Sequence, residues 1–423
     1  GHEIVAQARS TLFPQLSVSA AGAVIDEDRA ILSPERSLTG SLNLAQILWS
    51  DRAWANLSIQ RYLLSSREHE RDRVRLDVAL EAATAYLALL RAQTTVAILQ
   101  SNLQTSRMHL ELAEVRVLTG VVDRSDVFRW KSQIASDTSA IIGARAQRDN
   151  LKAQLNRLLH RPITEDFSTA ETTLTDPALL YDPGGRRFLQ DPWTFARFRD
   201  FMIKAAIDAS PELAQLDATI GAQRRKVTSA KRSFYLPDIA LTAQGDHRAI
   251  QGGAGSNTID NPFDIDGTDW RVGVVASLPL FTGGSRSAEV RRSQAELREL
   301  ETAREALSER IEQRVLIALN LTAASHTAIE LAEEAARAAR DNLALVTDGY
   351  AEGTRPIVDL LDAQNAAVSA ELAAVDATFN FMIDLMEVER AVGRFTFFLR
   401  PAEREAWFRA AEEYVGDDNR RRR

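Results

Sequence analysis

Polar and apolar residues alternate in four short stretches of the chain, 15–24, 37–48, 238–247 and 268–281. In the second, Leu38, Leu42 and Leu44 fall on one face and Thr39, Ser41 and Asn43 on the other. In the fourth, Val272, Val274, Ala276 and Leu278 alternate with Gly273, Val275 and Ser277. A period of two with one apolar face and one small, polar face predicts β-strands. It is the signature of a membrane-spanning strand, but strand by strand it fits a half-buried strand of a soluble sheet better. Residues 246–268, with Gly252-Gly253-Ala254-Gly255-Ser256-Asn257 and then Asp260, Asp264 and Asp266, predict a long exposed connection.

After each strand pair the period changes to that of a helix and stays there. From Asp51 to Thr119 there is neither proline nor glycine, enough for a helix of roughly 100 Å if continuous. The second such run extends from Ser285 to Gly349. Leu76, Leu80, Ala83, Leu87 and Leu90 step by four and three, which predicts a coiled-coil seam. Each long helix is expected to break at a glycine-containing turn and reverse, over 125–159 and 356–395. In the last segment Ala363, Ala367, Ala370, Ala374 and Ala377 form a small-residue stripe that lets helix backbones approach closely. Residues 160–192, with Pro162, Pro177, Pro183, Gly184, Gly185 and Pro192, predict a loop-rich segment. Two helices should follow, over 193–208 and 211–233, the second opening at Ser210-Pro211.

The chain is written twice. Arg9-Ser10 and Leu12-Phe13-Pro14-Gln15-Leu16 return as Arg232-Ser233 and Tyr235-Leu236-Pro237-Asp238-Ile239. Ala45-Gln46-Ile47-Leu48-Trp49 matches Ser277-Leu278-Pro279-Leu280-Phe281, and Gly120 with Asp126 matches Gly353 with Asp359. Three landmarks in one order indicate an internal duplication. By symmetry a full helix should precede the first strand, so the sequence is expected to be truncated at its N-terminus. The divisions this predicts are the end of a truncated helix (1–14), strands one and two (15–48), and a first helical hairpin with its tip near 120–126 (49–159). An equatorial segment with linking helices (160–233), strands three and four (234–281) and a second hairpin with its tip near 349–359 (282–395) follow. A C-terminal equatorial segment and tail (396–423) closes the chain, and Arg420 to Arg423 read as a solvated end.

Composition narrows the class. The chain has 423 residues, 45% of them apolar and 26% charged, so it is not disordered. A formal charge of -8 argues against a nucleic-acid partner. Without cysteine there is no disulfide, thiolate nucleophile or Cys-ligated metal. No run of 18 uncharged apolar residues occurs, so no membrane-crossing helix is expected, and a membrane-embedded part would be built of strands. Four strands cannot close a barrel, and an open sheet edge cannot face lipid. Two copies would give eight strands, which fill with their own side chains, and three would give twelve, which leave room for a pore. Helices of this length and charge would then have to project away from the bilayer.

The sequence resembles the TolC outer-membrane efflux family over nearly its whole length, from Gln7 to Arg394. The most specific stretch is Gly349-Tyr350-Ala351-Glu352-Gly353-Thr354-Arg355-Pro356-Ile357-Val358-Asp359-Leu360-Leu361-Asp362-Ala363, with Leu278-Pro279-Leu280-Phe281-Thr282-Gly283-Gly284 and Leu12-Phe13-Pro14 beside it. The resemblance implies a mostly α fold with a small β part. Its strands would trimerise into a 12-stranded transmembrane β-barrel, continued by a periplasmic α-helical barrel. It also implies a homotrimer in the outer membrane of a Gram-negative bacterium, in contact with outer-membrane lipid, a periplasmic adaptor protein and an inner-membrane pump. The function implied is a passive exit duct for efflux or type I secretion, carrying small molecules or proteins.

The family's gate lies at the periplasmic turns, here Gly120 to Asp126 and Gly353 to Asp359. Asp359 and Asp362 are three apart and share a helix face. If they point into the pore, three chains supply a ring of six carboxylates that attracts cations. The resemblance further implies closed-state contacts in which Tyr350 and Arg355 face Ser125 and Asp126, within or between protomers. Arg129 occupies in the first copy the place of Asp362 in the second, so the two tips are not equivalent.

No enzyme signature appears. His2, His69, His109, His160, His247 and His326 show no metal spacing, and Gly252 to Gly255 lacks the lysine of a phosphate loop. No nucleophile elbow occurs, and neither a metal nor another cofactor is expected. The main alternative is a periplasmic coiled-coil adaptor, or a structural scaffold without a pore. It accounts for the hairpins but not for strand pairs at matching points of a duplication.

Overall fold

The computed structural model describes residues 1–30, 34–120, 123–170, 192–254 and 267–421. In chain order these form α1 (His2–Ser10), β1 (Gln15–Val24), β2 (Arg36–Trp49), α2 (Asp51–Leu118) and α3 (Arg124–Leu158). Then come α4 (Pro192–Ala209), α5 (Pro211–Arg232), β3 (Asp238–Gly252), β4 (Thr268–Ser277), α6 (Ser285–Ala351), α7 (Ile357–Val392) and α8 (Pro401–Arg421). The protein is mostly helical with one small antiparallel sheet. The chain divides into two compact units, Gly1–Arg71 with Glu212–Leu307 and Asp72–Pro211 with Ser308–Arg423.

The first unit contains the sheet, in the order β1-β2-β3-β4, with every neighbouring pair antiparallel. β2 runs one residue further at each end than the sequence pattern, and two strand ends differ by more. β4 stops at Ser277 rather than 281, because Pro279 has no N–H to give to a ladder. β3 runs on to Gly252, where it still pairs with Arg36, so the expected connection over 246–268 is shorter. Residues 255–266 of that connection lie outside the described residues.

At the joint between β2 and α2, Asp51 opens the helix. Its carboxylate accepts from Arg225 at 3.0 Å and Arg232 at 2.9 Å on α5, and the side chain is only 9% exposed. Burial pushes the Asp51 carboxyl up, but the two guanidiniums outweigh it and hold it below its ordinary range. The Ser50 hydroxyl caps the same turn by accepting from the Ala53 N–H.

In the second unit Leu87 and Leu90 of the expected seam are buried on α2 while Leu76, Leu80 and Ala83 are half-buried, and the packing on Leu155 of α3 is made by Ala85 and Leu89, which lie off that seam. Ala363 and Ala367 of the alanine stripe are buried as well. α2 and α6 both end at glycines in the left-handed region, Gly120 (φ 74°) and Gly353 (φ 80°), where residues with a Cβ are strained. The C-terminal tail is a helix as far as Arg421, and Arg422 and Arg423 lie outside the described residues. One expectation needs correction. Among the described residues, α2, α6 and α7 each contain an 18-residue window of mean hydropathy 1.3 to 1.4, enough by length and composition to cross a membrane. The expectation asked for a charge-free run, whereas these windows tolerate up to two charges. Only 22% to 33% of each window is buried within the chain.

Candidate functional site: the sheet faces and the helical tip

Register sorts the sheet into two faces. Leu16 lies opposite Leu44 and Val18 opposite Leu42; Leu44 lies opposite Ala243, and Ala243 opposite Val272. This apolar face is exposed on the outer strands, where Val18 is 79% exposed, Trp270 76% and Val274 63%, although β1 and β4 are open on their other face as well. On the other face Asn43 faces Gln244, and Gln244 faces Arg271. There Arg271 donates to the Gln244 carbonyl at 3.0 Å, and the Gln244 amide donates to Asp246 at 2.9 Å. A soluble half-buried sheet would cover its apolar face, whereas here Val18, Trp270 and Val274 on that face have no cover within the chain. Among the described residues β1 and β4 leave both sheet edges unpaired.

Aromatic side chains mark one end of all four strands. Phe13 precedes β1, Trp49 ends β2, Tyr235 precedes β3 and Phe281 follows β4, and each is exposed. Because the strands are antiparallel, these four positions lie at the same end of the sheet. Amphipathic aromatics concentrate where hydrocarbon gives way to water.

At the tip of the second unit, Trp130 of α3 and Leu360 of α7 are fully buried, packed with Ala113, Tyr350 and Ile357. His109 stacks on the Trp130 indole with ring centres 4.9 Å apart, and burial holds its pKa below the ordinary value. The Tyr350 hydroxyl donates to Asp126 at 3.2 Å. Burial, then the nearby Asp126 carboxylate, pushes the Tyr350 phenol up, so it stays protonated and a donor.

The structure thus brings Tyr350 and Asp126 together within one chain. Arg355 is placed elsewhere: it reaches Asp359, one turn along, at 3.4 Å. Ser125 offers its backbone N–H to the Asp123 carboxylate at 2.7 Å, the N-cap of α3. That bond holds the exposed Asp123 carboxyl below its ordinary range. Asp359 is half-buried, while Asp362 is exposed and has no partner among the described residues. Arg129 is exposed. Val121 and Val122 of the first tip turn lie outside the described residues.

Sequence reasoning missed Arg116. Its guanidinium donates to the Tyr350 carbonyl at 2.7 Å and the Ala351 carbonyl at 3.3 Å, and covers the Tyr350 ring at 4.9 Å. These carbonyls lie in the last turn of α6, where a cation is favoured, and the Tyr350 carbonyl also accepts from the Gly353 N–H. The available signal was its position in the last turn of α2, close to the first tip glycine.

A small antiparallel sheet with apolar side chains exposed on one face and long helices that reverse at glycine turns are the features of an outer-membrane efflux protein. The outer membrane efflux protein family matches residues 2–160 and 202–394, and the chain belongs to that family. It is an outer-membrane protein of the Gram-negative type with a large periplasmic part, in a family of efflux channels. The chain is 24% identical over 399 residues to the outer membrane protein TolC of Escherichia coli K12, covering 92% of this chain and 76% of that one. It is also 24% identical over 404 residues to TolC of Vibrio cholerae, covering 92% and 84%. Among solved structures the fold is shared with CusC, at a TM-score of 0.75 and 16% identity, covering 93% of this chain and 87% of that one.

Proposed function

We propose that the protein is the passive outer-membrane duct of a tripartite efflux or type I secretion system, working as a homotrimer and gated at its periplasmic tip. The observation that carries this reading is the sheet, with one apolar face, one hydrogen-bonded polar face and two edges unpaired among the described residues. Three copies close those edges into twelve strands, put the apolar face against outer-membrane lipid and leave the polar face around a pore. The largely uncovered apolar helix windows support the same assembly, since neighbouring copies would cover them. A periplasmic adaptor and an inner-membrane pump would complete the path and supply the energy.

The gate residues in this reading are Asp359 and Asp362, six carboxylates in the trimer, with Tyr350, Asp126, Ser125 and Arg355 around the turns. The ring attracts cations and disfavours anions. Chain stoichiometry tests the assembly. Purified in detergent, the protein should have the mass of three chains and should precipitate when detergent is removed. A monomer that stays in solution without detergent would instead favour the adaptor or scaffold reading.

A further inference from the structure

Within the second unit, a buried layer of polar side chains joins three helices above the tip. Gln364 of α7, 2% exposed, donates through its amide to Asn102 at 2.7 Å and Ser106 at 2.8 Å on α2. The Ser106 hydroxyl, fully buried, donates to Asp137 of α3 at 2.6 Å. At its solvent edge the half-buried Gln133 closes the circuit, donating to the other Asp137 oxygen at 2.9 Å and to the exposed Asn365 of α7 at 3.1 Å. Asn102 and Asp137 are buried too, at 8% and 6% exposure.

This layer is not the most stable filling for its space. The Gln364 carbonyl oxygen is buried without a partner among the described residues, and apolar side chains would avoid that cost. What it does provide is register. Sliding α7 by one residue, or turning it, would strand the Gln364 amide, the Ser106 hydroxyl and the Asp137 carboxylate away from water and from one another. Towards the tip the ties are looser. There α7 and the end of α6 are held by the apolar cluster around Trp130, in which Tyr350 is buried, and by two polar ties at its rim, Arg116 to the Tyr350 carbonyl and the Tyr350–Asp126 bond, whose Arg116 and Asp126 side chains are only half-buried.

We propose that the layer formed by Asn102, Ser106, Gln133, Asp137, Gln364 and Asn365 is a fixed pin: it holds α7 in one register on α2 and α3 while the segment from Tyr350 to Asp362 moves during opening. The inference rests on the reading of the tip as a gate. Gln364 acts as a positioning residue for Asp359 and Asp362 and does not line the path itself.

The absence of cysteine makes the test direct. Cysteine pairs are placed across the layer (Gln133→Cys with Asn365→Cys) and across the tip (Asp126→Cys with Tyr350→Cys). Each is bridged by a short bis-thiosulfonate that reductant removes, and single-channel openings of the full chain are recorded in planar bilayers. The pin predicts openings unchanged by the layer bridge and abolished by the tip bridge until reductant is added. Openings lost reversibly with the layer bridge would overturn the pin and leave the gate standing. Openings that survive the tip bridge would overturn the gate and the pin with it. If the layer pair does not assemble, Gln364→Leu decides the question. With α7 unpinned, spontaneous openings should rise roughly tenfold, and an unchanged opening rate would refute the proposal.

Discussion

At the scale of single residues, Tyr350 and Glu389 carry the clearest consequences. The Tyr350 hydroxyl joins the two tip turns through Asp126, and a hydrogen bond to a charged group contributes about 1.5–3 kcal/mol. Tyr350→Phe keeps the ring under Arg116 and removes only that bond. We expect it to raise the open probability of the channel without lowering its melting temperature by more than a few degrees; an open probability equal to wild type would remove Tyr350 from the gate. Glu389 of α7 is 2% exposed. Burial pushes its carboxyl up to about 8, against the opposing bonds from the Thr396 N–H and hydroxyl and the nearby Arg404. A folded-state pKa above the unfolded one means that the folded chain holds the proton more tightly. The resulting stabilisation is complete below the unfolded value near 4.5 and is lost as pH rises through about 8. Urea melts across this range should show that loss, and Glu389→Gln should flatten the profile. An identical slope in the variant would show that Glu389 does not titrate there.

At the scale of elements, the joint between β2 and α2 depends on one carboxylate. Asp51→Asn leaves Arg225 and Arg232 without their counter-ion, at a cost of about 1–3 kcal/mol given that Arg232 is partly exposed. Hydrogen exchange should therefore quicken at the first turn of α2 before the far ends of the strands. Protection unchanged at that turn would mean that packing alone holds the joint.

The elements were also the most legible part of the sequence. A 68-residue helix without glycine or proline, ended by Gly120, can be read directly from composition and period. So could the strands, whose alternation gave their faces correctly. Period alone, however, does not say which face is covered, and that is what separates a membrane sheet from a soluble one. The chain leaves Val18 and Trp270 without cover, and the family match, not the burial of one chain, says that lipid covers that face. The tip was legible in part. Motif placed Tyr350 beside Asp126, but Arg116, Trp130 and the Gln364 layer come together from three distant helices, a proximity that no local pattern encodes. The final helix escaped notice because its charged stretch after Pro401 carries a weak apolar stripe.

At the scale of the whole molecule, one chain is an incomplete object. Its sheet has two open edges, its apolar strand face is bare, and most of each apolar helix window lacks cover. A complete assembly has to satisfy all three, and the proposed closure by three copies would do so with an aromatic residue at the same end of every strand. The central claim is that this assembly conducts and that Asp359 and Asp362 control what passes. Single-channel recording of the full-length protein in planar bilayers, beside an Asp359→Ala, Asp362→Ala double variant, tests it most directly. We predict small, cation-selective steps that multivalent cations block, with the block weakened in the variant. Equal block in both proteins would contradict the gate, and the absence of any conducting step from correctly inserted trimers would contradict the channel itself.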